Sequence, residues 1–192
     1  MKNKIPALPL ALFLTLASPA IQAADGSLSV NGAISDSTCS VLGVISESDI
    51  GIAQPVLNPV ITLGFLSDDE NMDTRMHYFQ IHLKNCYTTA SHQNVRINLT
   101  SPHADSDGLL HNEIPNGAKG KIIHIHERDD GTWSQVRVGA ENTLNTQPLL
   151  TPNASGDGII RFRFLAVASN GIGQSTIPGP FSTSMNYEME YQ

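Results

Sequence analysis

Seven histidines are the residues of this chain best suited to bind a metal ion. His124 and His126 are two positions apart in an alternating stretch, so one strand face would carry both imidazoles. A metal site needs three or four ligands with supporting groups, and the other histidines are scattered. We therefore expect solvated histidines on a strand face and no bound metal. A secreted metalloenzyme that uses this pair is an alternative, which metal analysis would test.

Carboxylates cluster in the segment 66–75, which contains Asp68, Asp69, Glu70 and Asp73. The segment resembles a calcium loop in composition, but it lacks the regular oxygen spacing and the central glycine of an EF-hand. The chain contains no Gly-x-Ser-x-Gly elbow, phosphate loop or nucleotide-binding fingerprint. The sequence therefore predicts a protein that is not an enzyme and needs no cofactor.

Residues 1–23 have the order of a secretory signal peptide. Lys2 and Lys4 precede an apolar run, and small residues follow up to Ala23. Cleavage is expected after Ala23, with Ala20 as the alternative. The run is too short to span a bilayer as a retained helix. An exported, soluble mature chain of 192 − 23 = 169 residues follows, which suits one domain.

The mature chain is acidic and carries two cysteines. Removal of two lysines leaves a charge of 9 − 18 = −9, which disfavours binding to nucleic acid or to anionic membranes. In an oxidising compartment, Cys39 and Cys86 are expected to form one disulfide across 47 residues, although two buried free thiols are an alternative. Closing such a loop stabilises the fold by roughly 4 kcal/mol in the chain-entropy model.

Period-two alternation of apolar and polar residues recurs through the mature chain. It is clear around Phe79–Lys84, Val95–Thr100, Ile123–His126, Gln135–Val138 and Ile160–Leu165. Turn dipeptides such as Asp130-Gly131 and Asn170-Gly171 separate these runs, whereas the polar stretch 101–120 is expected to be a long loop. Many short alternating strands with such turns predict an all-β antiparallel sandwich in a single domain.

The two ends of the mature chain carry further alternating patterns. At the front, Leu28, Val30, Gly32 and Ile34 share one face. A glycine inside a strand often marks a close approach of another group. At the back, alternation continues to the last residues and places on one face Phe181, Thr183, Met185, Tyr187, Met189 and Tyr191. The C-terminus is therefore predicted to be an ordered strand.

These features, taken in order, resemble the chaperone–usher fimbrial subunits such as the type 1 and P pilins. The alternating arm leads into Asp36-Ser-Thr-Cys39, and a strand beginning at Phe79 ends at Cys86. Phe164-Leu-Ala166 is similar to the family's Phe-x-Ala, although Ala168 stands where an aromatic residue is usual. Gly179 is fourteenth from the end and Tyr191 is penultimate, which matches the C-terminal signature of the family.

The resemblance implies an incomplete immunoglobulin-like sandwich that lacks its last strand. Residues 24–36 would be a donor arm and residues 37–192 the pilin domain. Leu28, Val30, Gly32 and Ile34 would enter a groove on a neighbouring subunit. A periplasmic chaperone and an outer-membrane usher would be partners before assembly into a surface fimbrium, where contact with a host receptor would be indirect. The groove strand would contain Gly179, Phe181, Met185, Tyr187, Met189 and Tyr191.

Two alternatives stay open on the sequence. The arm could be an ordinary first strand that pairs within its own domain, because terminal strands are often held in a sheet in this way. The chain could also be a secreted binding module of the adhesin or lectin type, which would stay monomeric without a chaperone. The sequence does not separate a shaft subunit from a minor one.

Overall fold

The computed structural model describes 25–33, 39–46, 55–57, 60–65, 76–139, 144, 148–150, 158–171 and 175–192. The predicted signal segment 1–23, Ile34 and the acidic segment 66–75 lie outside these ranges. The regular elements within them are all β-strands: β1 (Asp25–Ala33), β2 (Ser40–Ser46), β3 (Val60–Phe65), β4 (Met76–Lys84), β5 (Val95–Thr100), β6 (Leu110–His111), β7 (Lys121–Asp129), β8 (Thr132–Val136), β9 (Ile160–Asn170) and β10 (Phe181–Tyr191).

Two sheets form the sandwich. One sheet has the order β3-β1-β10-β5, and the other has the order β2-β4-β9-β7-β6 with β8 beside β7. Every pair of neighbouring strands is antiparallel except β1 and β10. The all-β, immunoglobulin-like fold expected from the sequence is therefore present, with one parallel pair that an antiparallel sandwich does not contain.

The alternation of apolar and polar residues in the sequence corresponds to strands with one buried face and one more exposed face. In β4, Phe79, Ile81 and Leu83 are fully buried while the intervening residues are only partly buried. The β7–β8 hairpin turns at Asp130 and Gly131, both of which have positive φ. This is the backbone that the Asp-Gly dipeptide favours in a two-residue hairpin.

The core lies between the two sheets and contains the aromatic side chains expected from the sequence. Phe79 and Phe164 stack with their ring centroids 5.2 Å apart. Phe164 and Ala166 of the Phe-x-Ala element are both buried, and Ala168 follows them in the core. Cys39 and Cys86 form the predicted disulfide, and both are buried in this core.

The predicted loop 101–120 contains only the two-residue strand β6. No helix in the part of the chain that the structure describes is long and apolar enough to cross a membrane.

Candidate functional site: the slot between β3 and β10

The strand β10 uses its two edges differently. Along one edge, Asn186–Tyr191 pairs with β5. The earlier part of that edge is bonded by the 112–118 loop, where Glu113 N–H donates to Ser182 O at 2.8 Å and Ala118 N–H donates to Pro180 O at 2.9 Å. The other edge of β10 faces β3 across a gap one strand wide, which we call the slot. A strand that fills the slot completes the sheet.

The N-terminal strand β1 of the same chain fills the slot. It runs antiparallel to β3 and parallel to β10, with Leu28 opposite Thr183, Val30 opposite Met185 and Gly32 opposite Tyr187. In this structure the arm is thus paired within its own domain, as expected if it is an ordinary first strand. Exchange of the arm between chains stays a prediction.

Burial of the arm follows its alternation. Leu28 and Val30 are fully buried, while Ser27 and Ser29 lie on the outer, partly exposed face. Burying each large aliphatic side chain contributes about 1.5–3 kcal/mol. The arm is therefore an integral part of the core.

Gly32 lies directly against the ring of Tyr187. A Cβ at Gly32 would lie only 2.1 Å from the Cε2 and Cζ atoms of Tyr187, a distance that no real contact allows. Tyr187 itself is 3% exposed, so its ring is packed in the core. Burial also raises the pKa of the Tyr187 hydroxyl above its ordinary value. Glycine at this position is a steric requirement, as the sequence suggested.

The predicted groove residues lie together on the inner face of β10. Phe181, Met185, Tyr187 and Met189 are buried, and Tyr191 is partly buried against the same core. Gly179 precedes the strand, where a Cβ would lie 2.9 Å from the backbone nitrogen of Ala118. The structure thus brings together the predicted arm and the predicted groove strand, except Ile34, which is outside the described residues.

The sequence did not identify the loop side chains that hold β10 in place. The amide nitrogen of Asn112 donates to Ala118 O and Pro180 O, both at 3.0 Å. Its amide oxygen accepts from Ser182 N–H at 2.9 Å. Ser101 Oγ donates to Ser184 O at 2.6 Å. A polar loop rich in Asn and Ser gives no sequence signal for which of its side chains will reach another strand.

An open cleft of about 320 Å³ lies where β1 ends against β10. Its lining combines polar side chains with the Tyr187 ring and consists of Asn31, Gly32, Thr100, Asn186, Tyr187 and Glu188. The paired part of β1 reaches only Glu188, whereas β10 continues to Tyr191. The last residues of β10, beyond Glu188, therefore have no partner in the described part of β1.

The histidine pair lies on the opposite sheet, away from the slot. The rings of His124 and His126 have centroids 6.4 Å apart, and His124 Nε2 lies 2.7 Å from Ser169 Oγ. Both side chains are half-buried, whereas the sequence analysis predicted solvated histidines. Among the described residues, no three histidine, cysteine or carboxylate side chains gather as a metal site requires.

Stability is expected to fall as the pH drops through the histidine range. Burial lowers the pKa of His77, His124 and His126, and it lowers that of His82 together with the nearby Arg161 charge. The unfolded chain then binds protons before the folded chain as pH falls below about 6.5. The thermal midpoint should therefore be higher at pH 7.5 than at pH 5.5. In a H124Q/H126Q double variant the difference between the thermal midpoints at pH 7.5 and pH 5.5 should become smaller. An unchanged difference would show that protonation of these two imidazoles does not destabilise the fold at low pH.

Comparison with solved structures shows what this fold is similar to. The P pilus rod subunit PapA shares the fold with a TM-score of 0.53 and 20% identity, over 81% of this chain and 100% of that chain. A chaperone–usher pilus subunit, from a structure concerned with rod uncoiling, gives 0.54 and 21% over 84% of this chain and 92% of that one. No protein-family model and no curated protein sequence matches the chain.

Proposed function

We propose that this chain is a structural subunit of a chaperone–usher pilus that polymerises by passing its N-terminal arm to a neighbouring copy. The observation that carries the proposal is that the slot beside β10 is filled by a strand from the chain terminus, in a fold shared with pilus rod subunits. A slot that needs a strand from outside the main body of the domain suits strand addition between chains.

The orientation of the arm favours exchange. β1 runs parallel to β10, whereas the last strand of an immunoglobulin-like sandwich runs antiparallel to the strand before it. An arm from a second copy that enters in the antiparallel direction would complete the sandwich in its regular topology. Before assembly, an empty slot would leave an unpaired edge and an apolar face, which a periplasmic chaperone would cover.

Export through the periplasm, delivery to an outer-membrane usher and a place in a surface fimbrium belong to the same proposal. A subunit of this kind has a structural role and supports adhesion through the polymer. We propose no catalytic activity for it, in line with the fold that it shares with pilus rod subunits.

A second candidate is a self-contained secreted binding module. It is favoured by the arm's own position, since a chain that completes its own sheet needs no partner to fold. The two candidates differ in whether the arm must leave its slot.

A reversible lock on the arm tests this difference. Ser29 and Ser184 are direct partners on the outer face, so the double variant S29C/S184C places two thiols within reach of a disulfide. The oxidised variant should remain monomeric, and mild reduction should restore polymerisation, measured by size-exclusion chromatography and electron microscopy.

The controls are the single variant S29C and the unmodified chain treated with the same reductant, since the chain has its own Cys39–Cys86 bond. Polymerisation of the locked variant at the normal rate would exclude the arm as donor. An unmodified chain that stays monomeric even with preformed fibres would favour the binding module.

A further inference from the structure

The outer face of the sheet opposite the slot carries a concentration of positive charge. In β4, β7 and β9 the core-facing positions include Ile81, Ile125 and Phe162, so the alternate positions point outwards. None of these outward positions holds a carboxylate. They hold four of the nine basic residues (11 − 2 = 9) that follow the predicted signal segment. We call this surface the basic face, and its exposed cations are Lys84, Arg128, Arg161 and Arg163.

The four cations form one row across three neighbouring strands. Arg161 on β9 lies opposite His82 on β4, and Lys84 is the next outward residue of β4. Arg163 lies beside Arg128 of β7, one position beyond the final pair of β7 and β9. Neighbouring strands are about 4.8 Å apart, and outward residues of one strand are about 6.7 Å apart. The row therefore places positive charges at intervals of about 5–7 Å.

No ion pair within the described part of the chain neutralises these cations. Arg96 and Arg137 each lie within reach of a carboxylate, but the four cations of the basic face do not take part in the described ion pairs. After burial, the Arg161 charge is the second cause that lowers the pKa of His82 beside it. Like charges held close together without counter-charges repel one another, and a bound anion relieves that repulsion.

Two aromatic rings border the basic face. The Trp133 ring on β8 lies against Arg128, whose guanidinium carbon is 5.7 Å from the ring centroid. The Tyr78 ring on β4 has its centroid 5.5 Å from that of Trp133. Both side chains are partly exposed. The rings thus offer apolar surface directly beside the cations.

We propose that the basic face binds a linear acidic polysaccharide, a chain of sugar rings that carries sulfate or carboxylate groups. Guanidinium groups bind such anions through paired N–H donors. The C–H face of a sugar ring packs against an indole or phenol ring. The outer face of a sheet is broad and open, which suits an extended polymer better than a small molecule that needs an enclosed pocket. This inference goes beyond the proposed function and does not depend on exchange of arms.

Other anionic partners fit the molecule less well. A second copy would have to present a matching acidic face. On the outer side of β10 the acidic residues are Glu188 and Glu190, and Glu190 is already paired with Arg96. Duplex DNA carries about one charge per 1.7 Å, and the overall charge of 9 − 18 = −9 on the mature chain opposes so dense a polyanion. A polysaccharide with more widely spaced charges meets less of this repulsion.

Trp133 is the only tryptophan in the sequence, so its fluorescence reports on the basic face. The purified chain is titrated with heparin as the acidic probe and with dextran as the uncharged control. Heparin should shift the Trp133 emission to shorter wavelength as a sugar ring covers the indole, and its affinity should fall as the salt concentration rises. Dextran should leave the emission unchanged.

Paired variants locate the binding surface. R161Q/R163Q should weaken heparin binding roughly tenfold at low salt, and K84Q/R128Q should act in the same direction. The matched control is R96Q/K119Q, which removes the same charge from other parts of the surface and should bind nearly as the unmodified chain does. The replaced side chains of the basic face are exposed, so R161Q/R163Q should keep the thermal midpoint of the unmodified chain.

The outcomes distinguish this inference from the proposed function. No response to heparin at low salt, or equal losses in R161Q/R163Q and R96Q/K119Q, would overturn the polysaccharide site. Tighter binding of a single-stranded oligothymidylate would assign the face to nucleic acid, and self-association that R161Q/R163Q abolishes would assign it to a second copy; either result overturns the proposal. Arm exchange is measured separately, because R161Q/R163Q leaves the slot unchanged and should still polymerise.

Discussion

A chain that lacks residues 24–35 is expected to bind the periplasmic chaperone but to fail both as a free monomer and as an addition to a growing fibre. The deletion removes the whole of β1, including the fully buried Leu28 and Val30. Those two side chains contribute about 1.5–3 kcal/mol each, a large part of a typical stability of about 5–15 kcal/mol. The uncovered edge of β10 would then promote aggregation.

The measurements are the periplasmic level with and without chaperone, and incorporation into fibres. A synthetic peptide of residues 24–36 added to the refolding mixture should restore a soluble, compact chain, because it supplies the missing strand without a covalent link. The matched control is S27T/S29T, which changes only the outer face of β1 and should assemble normally. Normal fibre incorporation of the deletion variant would contradict the donor role of the arm.

Substitution of Gly32 by valine is expected to expel the end of the arm from the slot, within a chain and between chains alike. The new Cβ would lie about 2.1 Å from the Tyr187 ring, which is itself buried. Forcing extra carbon atoms into a packed core usually costs about 1–3 kcal/mol. The monomer should therefore unfold at lower denaturant concentration, and fibre formation should be strongly reduced.

A second substitution shows whether the cause is the ring. In G32V/Y187A the space left by the phenol should accept the valine, so the two effects should be far from additive. S29V provides the control, since it adds a β-branched side chain to the outer face of the same strand. If the losses of stability from G32V and Y187A simply add in the double variant, glycine is not needed at position 32 to make room for the Tyr187 ring.

Much of the architecture could be predicted from the sequence because the side chains of a strand alternate between two faces. The period-two pattern identified most strands and the buried face of β10, as Phe181, Met185 and Met189 illustrate. The turn at Asp130-Gly131 could be predicted because few residues accept positive φ. β8, however, ends at Val136 although the alternation continues to Val138, which is buried in the following loop.

The functional details that the sequence did not reveal depend on contacts between distant segments. Asn112 anchors the start of β10 through two backbone groups, Pro180 O and Ser182 N–H, and nothing in its surrounding loop indicates this. The buried hydroxyl of Thr183, which has no hydrogen-bond partner among the described residues, likewise became apparent only from the folded structure. Hydrogen-bond partners across 70 residues have no local signature in the chain.

By itself, the sequence determined the all-β sandwich and its two alternating terminal strands, because alternation and turn residues are local properties, and its two cysteines favoured a disulfide that the structure then showed. Only the tertiary structure decided where the N-terminal strand lies and in which direction it runs. A strand can hydrogen-bond to a neighbour in either orientation with the same side chains facing inward. The contact of Gly32 with Tyr187 fixes which residues of β1 and β10 face each other, but it is compatible with either strand direction, so the parallel pairing is a property of the folded structure and not of this contact.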